Sequence, residues 1–386
     1  MMADKHALLS ASSSHRWLRC PPSAVLEQKF PQQTSEYAAE GTEAHELAFI
    51  ITSALLDTNF PLEKELASFK GTATYYCAEM QEAADAYADL IAERIKARSA
   101  YCSDTFAELE VMVDFSKWVK RGFGTSDCVI VSDDIMEIID FKYGKGVRVE
   151  AEDNSQMMLY ALGAYERYKA LYDINGIRMT IFQPRLSNSV STAEIYIGEL
   201  LEWAKTYVKP RAVLAYRGDG EYSPSETACK FCRAKNQCRA RLNQQLDLFD
   251  NLPEIASVEE VAKALQNADT VKSWISDAET FLQQELLKGN PVPGWKLVEG
   301  RSNRKISDEK AVVDRFIKAG IDDSLLYEKK FISLTQLEKD FGKKSTAELI
   351  GDLIIKPQGK PTLVPESDAR PAFVLQEQIL NAFDAR

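Results

Sequence analysis

Residues 126–144, SDCVIVSDDIMEIIDFKYG, constrain the fold more than any other stretch of the chain. Two apolar runs flank Ser132-Asp133-Asp134, and the second stops at Gly144. Apolar β-forming runs on either side of a Ser/Asp cluster read as two strands joined by a turn. FAELEVMVDF (106–115), just upstream, alternates as a strand does. Downstream, NSQMMLYALGAYERYKALY (154–172) reads as a helix, followed by strands at 176–182 (GIRMTIF) and 191–197 and a helix at about 198–216. Two helices precede the strands, at 39–56 and 77–98. In the second, Met80, Ala83, Ala84, Tyr87, Leu90, Ile91 and Ile95 fall on one helical stripe. PPSAVLEQKFPQQTSEY (21–37) reads as loop. The order α, β, β, β, α, β, β, α indicates an α/β core with a mixed sheet flanked by helices.

The charges on this frame raise a chemical question. Asp127 begins one strand of the hairpin and Asp140 ends the next, so pairing places them side by side. Lys142 shares the face of Asp140, because strand side chains repeat every two residues. Two carboxylates can hold Mg²⁺ or Mn²⁺, and a lysine beside them can orient or deprotonate the attacking water, or stabilise charge on a phosphate. A surface hairpin can carry the same D-x-K pattern for solubility. Here MEII before Asp140 is too apolar for a solvent edge, and Gly144 and Gly146 open the backbone next to the charges. His45, in EGTEAHELA, lies on the first helix, where an isolated histidine is usually structural. Gln156 and Tyr160 are spaced i, i+4 and share a helix face. They can touch a phosphate or a base, or serve as a polar first-turn residue and a core tyrosine.

The net charge of −11 opposes a purely electrostatic nucleic-acid binder, yet leaves room for an enzyme with a local basic groove and a carboxylate metal site. No run of 18 apolar residues occurs, and MMADKHALLSASSSHRW is not a secretory signal, so a cytoplasmic protein is expected. In that reducing compartment the seven cysteines point to metal or cluster ligation rather than disulfides. ACKFCRAKNQCRAR spaces Cys229, Cys232 and Cys238 as C-x2-C-x5-C, and Cys20 in RWLRCPPS is a candidate fourth ligand. Four thiolates suit either a [4Fe–4S] cluster or Zn²⁺. Cys77, Cys102 and Cys128 sit in apolar or helical contexts and read as packing residues.

Taken in order, these pieces resemble the RecB-like branch of the PD-(D/E)XK nuclease superfamily. The match covers roughly residues 10–245 and departs locally, since Ser126 replaces the proline of the family name. The resemblance implies a restriction-endonuclease-like core. His45, Asp127 and Asp140 would bind Mg²⁺ or Mn²⁺, with the Ile139 or Phe141 carbonyl as a further ligand. Lys142 would assist the water, and Gln156 and Tyr160 would position the strand. The branch includes iron–sulfur nucleases, such as the AddB subunit of bacterial recombination nucleases and the CRISPR-associated adaptation nucleases. Their cysteine pattern matches Cys20, Cys229, Cys232 and Cys238, implying a structural [4Fe–4S] cluster, with Zn²⁺ as the alternative. The whole chain is also similar to a phage and prophage family without an assigned activity, through GKPTLVPESDARPAF (359–373). The expected activity is a metal-dependent deoxyribonuclease, an exonuclease on single strands or DNA ends in phage replication or recombination. Its expected partners are DNA and a phage single-strand-binding or annealing protein, with no membrane. Alternatives are a non-catalytic nucleic-acid-binding scaffold retaining the fold, or a zinc-stapled protein whose acids merely solvate a hairpin.

The chain length allows two or three domains. The expected division is a nuclease domain at 1–245, a linker at 246–256 (within LDLFDNLPEIAS) and a mainly helical C-terminal region at 257–386. That region begins with a helix at about 257–288 and a short strand, GWKLVEG (294–300). Capping boxes follow at Ser333/Gln336 and Ser345/Glu348. It could be a helical cap on the nuclease surface or a DNA clamp. KLVEGRSNRKIS supplies Lys296, Arg301, Arg304 and Lys305, a loop adds Lys356 and Lys360, and Trp295 could stack on bases.

Overall fold

The computed structural model describes residues 7–31, 36–246, 268–298 and 342–350, with isolated helical positions at 258–259, 262, 265, 317–318, 335–336 and 338. The chain divides into two compact units, residues 1–281 and 282–386. In the first, β1 (Phe106–Asp114), β2 (Phe123–Val131), β3 (Asp134–Phe141), β4 (Ile174–Phe182) and β5 (Val190–Tyr196) form a five-stranded sheet in that order. β1, β2 and β3 are a meander of antiparallel neighbours. β4 then lies parallel to β3, and β5 antiparallel to β4. The parallel step needs a crossover, which α6 (Ser155–Tyr168) provides. This is the expected mixed α/β core, a mixed sheet flanked by helices.

The sheet buries both faces. On one lie α3 (Glu36–Leu56), α4 (Leu62–Thr72) and α5 (Ala78–Ser99), packed with Cys128, Ile130, Ile139 and Phe141. On the other, α6 covers Val111, Val113, Val129, Met136 and Ile138. The α5 stripe behaves as its spacing requires: Met80, Ala83, Ala84, Tyr87 and Ile91 are buried, and Leu90 and Ile95 are partly so. Two glycines permit the close fit of α6. A Cβ on Gly163 would lie 2.8 Å from Val113 Cβ, and one on Gly124 would lie 2.8 Å from the Tyr160 ring.

The N-terminal segment returns to the far end of this unit. α1 (Ser14–Arg19) and α2 (Ser23–Leu26) pack near α8 (Lys209–Arg217) and α9 (Glu226–Lys230). Buried Glu27 accepts hydrogen bonds from Arg16 Nε at 2.9 Å and from the Arg233 main-chain N–H at 2.8 Å. α8 continues α7 (Ile197–Trp203) through a π-helical turn at Ala204–Val208, just before Pro210, whose missing N–H cannot join the ladder.

Several expectations change. Short helical turns occupy 23–29 inside the expected loop, because Ala24 and Glu27 have a surface to bury against. α4 was not expected; it is mostly polar and buries Phe69. Residues 294–298 are not in a strand. Ser345 is inside the helix Lys343–Ile350 and is not its N-cap. Ser333 and residues 247–256 of the expected linker lie outside the described residues, as do Arg301, Arg304, Lys305, Lys356 and Lys360.

Candidate active site

The site forms at the end of β3, beside the middle of β2, against α3 and α6; Asp127 lies inside β2, which starts at Phe123, and does not begin it as expected. Pairing of Cys128 with Ile139 makes Asp127 and Asp140 the next opposed pair. Asp127 Oδ2 accepts the Phe141 main-chain N–H at 2.7 Å, and Asp127 Oδ1 lies 3.4 Å from His45 Nδ1. The His45 ring also meets Phe141 edge-on, with centroids 5.4 Å apart. Asp140 Oδ2 is 2.8 Å from Lys142 Nζ, and its Oδ1 accepts Gln156 Nε2 at 3.1 Å. Gln156 Nε2 is also 3.4 Å from the Tyr160 hydroxyl. Gln156 is presented by the first turn of α6, which the Asn154 side chain caps by accepting the Gln156 and Met157 N–H groups.

Residues from α3, β2, β3 and α6 therefore meet at one place. His45, Asp127, Asp140, Lys142, Gln156 and Tyr160 are all there. Glu110 joins them from β1: its carboxylate, the His45 imidazole and the Asp127 carboxylate offer ligand atoms within 4.8 Å of one another. Glu110 was not expected. The signal lies in AELEVMV, where alternation gives way to three consecutive apolar residues.

Burial and charge compete in this cluster. Burial pushes the Asp140 carboxyl up, and the Asp127 charge adds to that, against Lys142. Burial would raise Asp127 as well, but His45, Lys142 and the Phe141 N–H hold it below the ordinary carboxylate range. Burial would lower Lys142, yet the Asp140 and Asp127 carboxylates outweigh it and keep the ammonium. Burial, then Asp140, pushes the Tyr160 hydroxyl up to about 12. The donor set of two carboxylates and an imidazole beside a third carboxylate fits a divalent ion that accepts oxygen and nitrogen ligands.

The four cysteines Cys20, Cys229, Cys232 and Cys238 are not part of this group. Burial pushes the Cys20 thiol up, with Cys238 and Cys229 adding to it, and burial pushes the Cys229 thiol up, with Cys238 adding. Burial pushes the Cys232 thiol up to about 12, with Cys229 contributing. Among the described residues, no three of these sulfurs lie within 4.8 Å of one another. A tetrahedral zinc with Zn–S near 2.3 Å would need sulfurs about 3.8 Å apart. Cys128 is a buried packing residue as expected, whereas Cys77 is exposed and Cys102 half-buried.

The fold is a mixed α/β core that gathers these residues from α3, β2, the end of β3 and α6. The chain matches, over residues 6–371, the family described as protein of unknown function (DUF2800), and it belongs to that family. Solved structures show weaker likeness. A candidate exonuclease from Eubacterium rectale is 13% identical, covering 66% of this chain and 92% of its own, with a TM-score of 0.33. The alkaline exonuclease LHK-Exo from Laribacter hongkongensis is 12% identical, covering 45% and 87%, with a TM-score of 0.22. Among the described residues, no helix is long and apolar enough to cross a membrane.

Proposed function

We propose that this protein is a metal-dependent deoxyribonuclease, an exonuclease on single strands or DNA ends in phage replication or recombination. The observation that carries the reading is the meeting of Asp127 and Asp140 with His45, Lys142 and Gln156. His45, Asp127 and Asp140 hold Mg²⁺ or Mn²⁺. When bound, the ion polarises a phosphoryl oxygen and lowers the pKa of a water. Lys142 stays an ammonium beside Asp140, so it orients the water and stabilises phosphate charge rather than accepting a proton. The Tyr160 hydroxyl keeps its proton and can donate to a phosphate oxygen, and Gln156 fixes Asp140.

Cys20, Cys229, Cys232 and Cys238 hold a structural [4Fe–4S] cluster that staples the N-terminal segment to the end of the nuclease domain at 1–245. Zn²⁺ in the same four-thiolate set is the alternative. The region at 257–386 acts as a DNA clamp in a cytoplasmic enzyme that works beside a single-strand-binding or annealing protein.

Incubation of anaerobically purified protein with 5′- and 3′-labelled single- and double-stranded DNA tests the activity. Digestion should need Mg²⁺ or Mn²⁺ and stop in EDTA. Protein that binds the DNA but leaves every substrate intact in both metals would be a scaffold, not a nuclease.

A further inference from the structure

Glu110 stands in the middle of β1 with φ +50°. That left-handed backbone is strained for a non-glycine residue and persists only where the surroundings impose it. It also marks a change of face. Ala107 and Leu109 pack on the α3/α5 side of the sheet, whereas Val111 and Val113 pack on the α6 side. A regular strand would put all four on one face. The change falls opposite Asp127, because the register pairs Leu109 with Cys128 and Val111 with Ser126.

Packing does not account for a glutamate at this strained point. Its side chain is exposed, and no hydrogen bond or ion pair among the described residues holds its carboxylate. Its ligand atom instead lies within 4.8 Å of those of His45 and Asp127. Two carboxylates brought that close repel each other unless a cation lies between them.

We propose that Glu110 is a protein ligand of the divalent ion held by His45 and Asp127, and that the left-handed residue in β1 serves to aim it there. The inference rests on the metal-dependent reading above. With Asp140 from β3, it gives the ion ligands from four elements, α3, β1, β2 and β3.

The test is Mn²⁺ titration of the full chain by calorimetry, with thermal melting in EDTA and in Mn²⁺. Glu110→Gln should weaken Mn²⁺ affinity by about 10-fold or more, while melting in EDTA no lower than wild type, since a repulsion has been removed. Glu110→Gly should weaken affinity equally and melt higher than wild type in EDTA, since glycine accepts the left-handed backbone. If both variants bind Mn²⁺ with wild-type affinity, Glu110 is not a ligand, while the nuclease reading stands. If Glu110→Gly melts lower than wild type in EDTA, the turn serves the fold and the aiming role is overturned. If the wild type itself binds no Mn²⁺, the metal-dependent reading falls and takes this one with it.

Discussion

Glu137 and Asp140 are both buried in β3, at 2% and 3% exposure, yet they face opposite sides of the sheet and keep different company. Glu137 accepts the Thr180 hydroxyl at 2.7 Å, and Arg94 and Arg178 approach it at 3.6 and 3.8 Å. One acid is thus matched by two cations and a hydroxyl. Asp140 has one close cation, Lys142, and stands beside Asp127, with Glu110 and His45 gathered on that neighbour's other side. The first group faces two guanidiniums, of which Arg178 is shared with Glu194; the second gathers three carboxylates around one lysine and the His45 imidazole. Burial of a carboxylate therefore says little about its role, and the balance of charge around it says more.

The sharpest way to break the comparison is to disable each acid in turn. Asp140→Ala or Lys142→Ala should cost about 100-fold or more in Mn²⁺-dependent digestion of labelled single-stranded DNA, with the fold retained. Glu137→Gln should digest at nearly the parental rate. Its effect lies in stability: burial raises the Glu137 carboxyl, against Thr180 and the arginines, so the folded chain holds that proton longer than the unfolded chain. Between the two pKa values this group's contribution to stability falls as pH rises, and Glu137→Gln should remove that slope from melting curves. Equal activity losses in Asp140→Ala and Glu137→Gln would erase the distinction.

The cysteine centre extends the contrast to thiols. Cys232→Ser should strip bound metal and lower the melting temperature, because structural metal binding is coupled to folding. Cys77, exposed before α5, should tolerate serine with metal retained. Elemental analysis of protein purified without oxygen, read for iron and zinc, decides both. Finding neither metal in the wild type would remove the centre.

The smallest effect concerns room for the site. Gly124→Ala should destabilise by about 1–3 kcal/mol, because its Cβ would press on the Tyr160 ring. Gly144→Ala meets nothing within 4 Å and should change stability by less than about 0.5 kcal/mol. Denaturant melts that rank the two alike would show that the Tyr160 ring yields freely.

Much of this frame is local in origin. The Val/Ile runs around Ser132-Asp133 fold as β2 and β3, and the spacing in 78–99 and 155–168 yields the helices that cover them. Asp127 beside Asp140 follows from a hairpin with a period of two, and Gln156 near Tyr160 from one turn of helix. α4 escaped because its mostly polar sequence gives only a weak apolar stripe. Gly124 escaped because its reason, the Tyr160 ring, lies on another element.

The sequence by itself determined that Asp127 stands beside Asp140 and that Lys142 and Gln156 stand at the ends of β3 and α6, since backbone periodicity places them. Only the tertiary structure decided which of the two buried acids in β3 is left without enough cations. Arg94, Arg178 and Thr180 reach Glu137 from α5 and β4, and His45 and Glu110 reach Asp127 from α3 and β1. The left-handed backbone at Glu110 shows in the sequence only as the loss of alternation in AELEVMV, because alternation predicts the face of a strand residue only while φ stays extended. Charge interactions in a buried site depend on distances between remote segments, and packing of the sheet between its helices sets those distances.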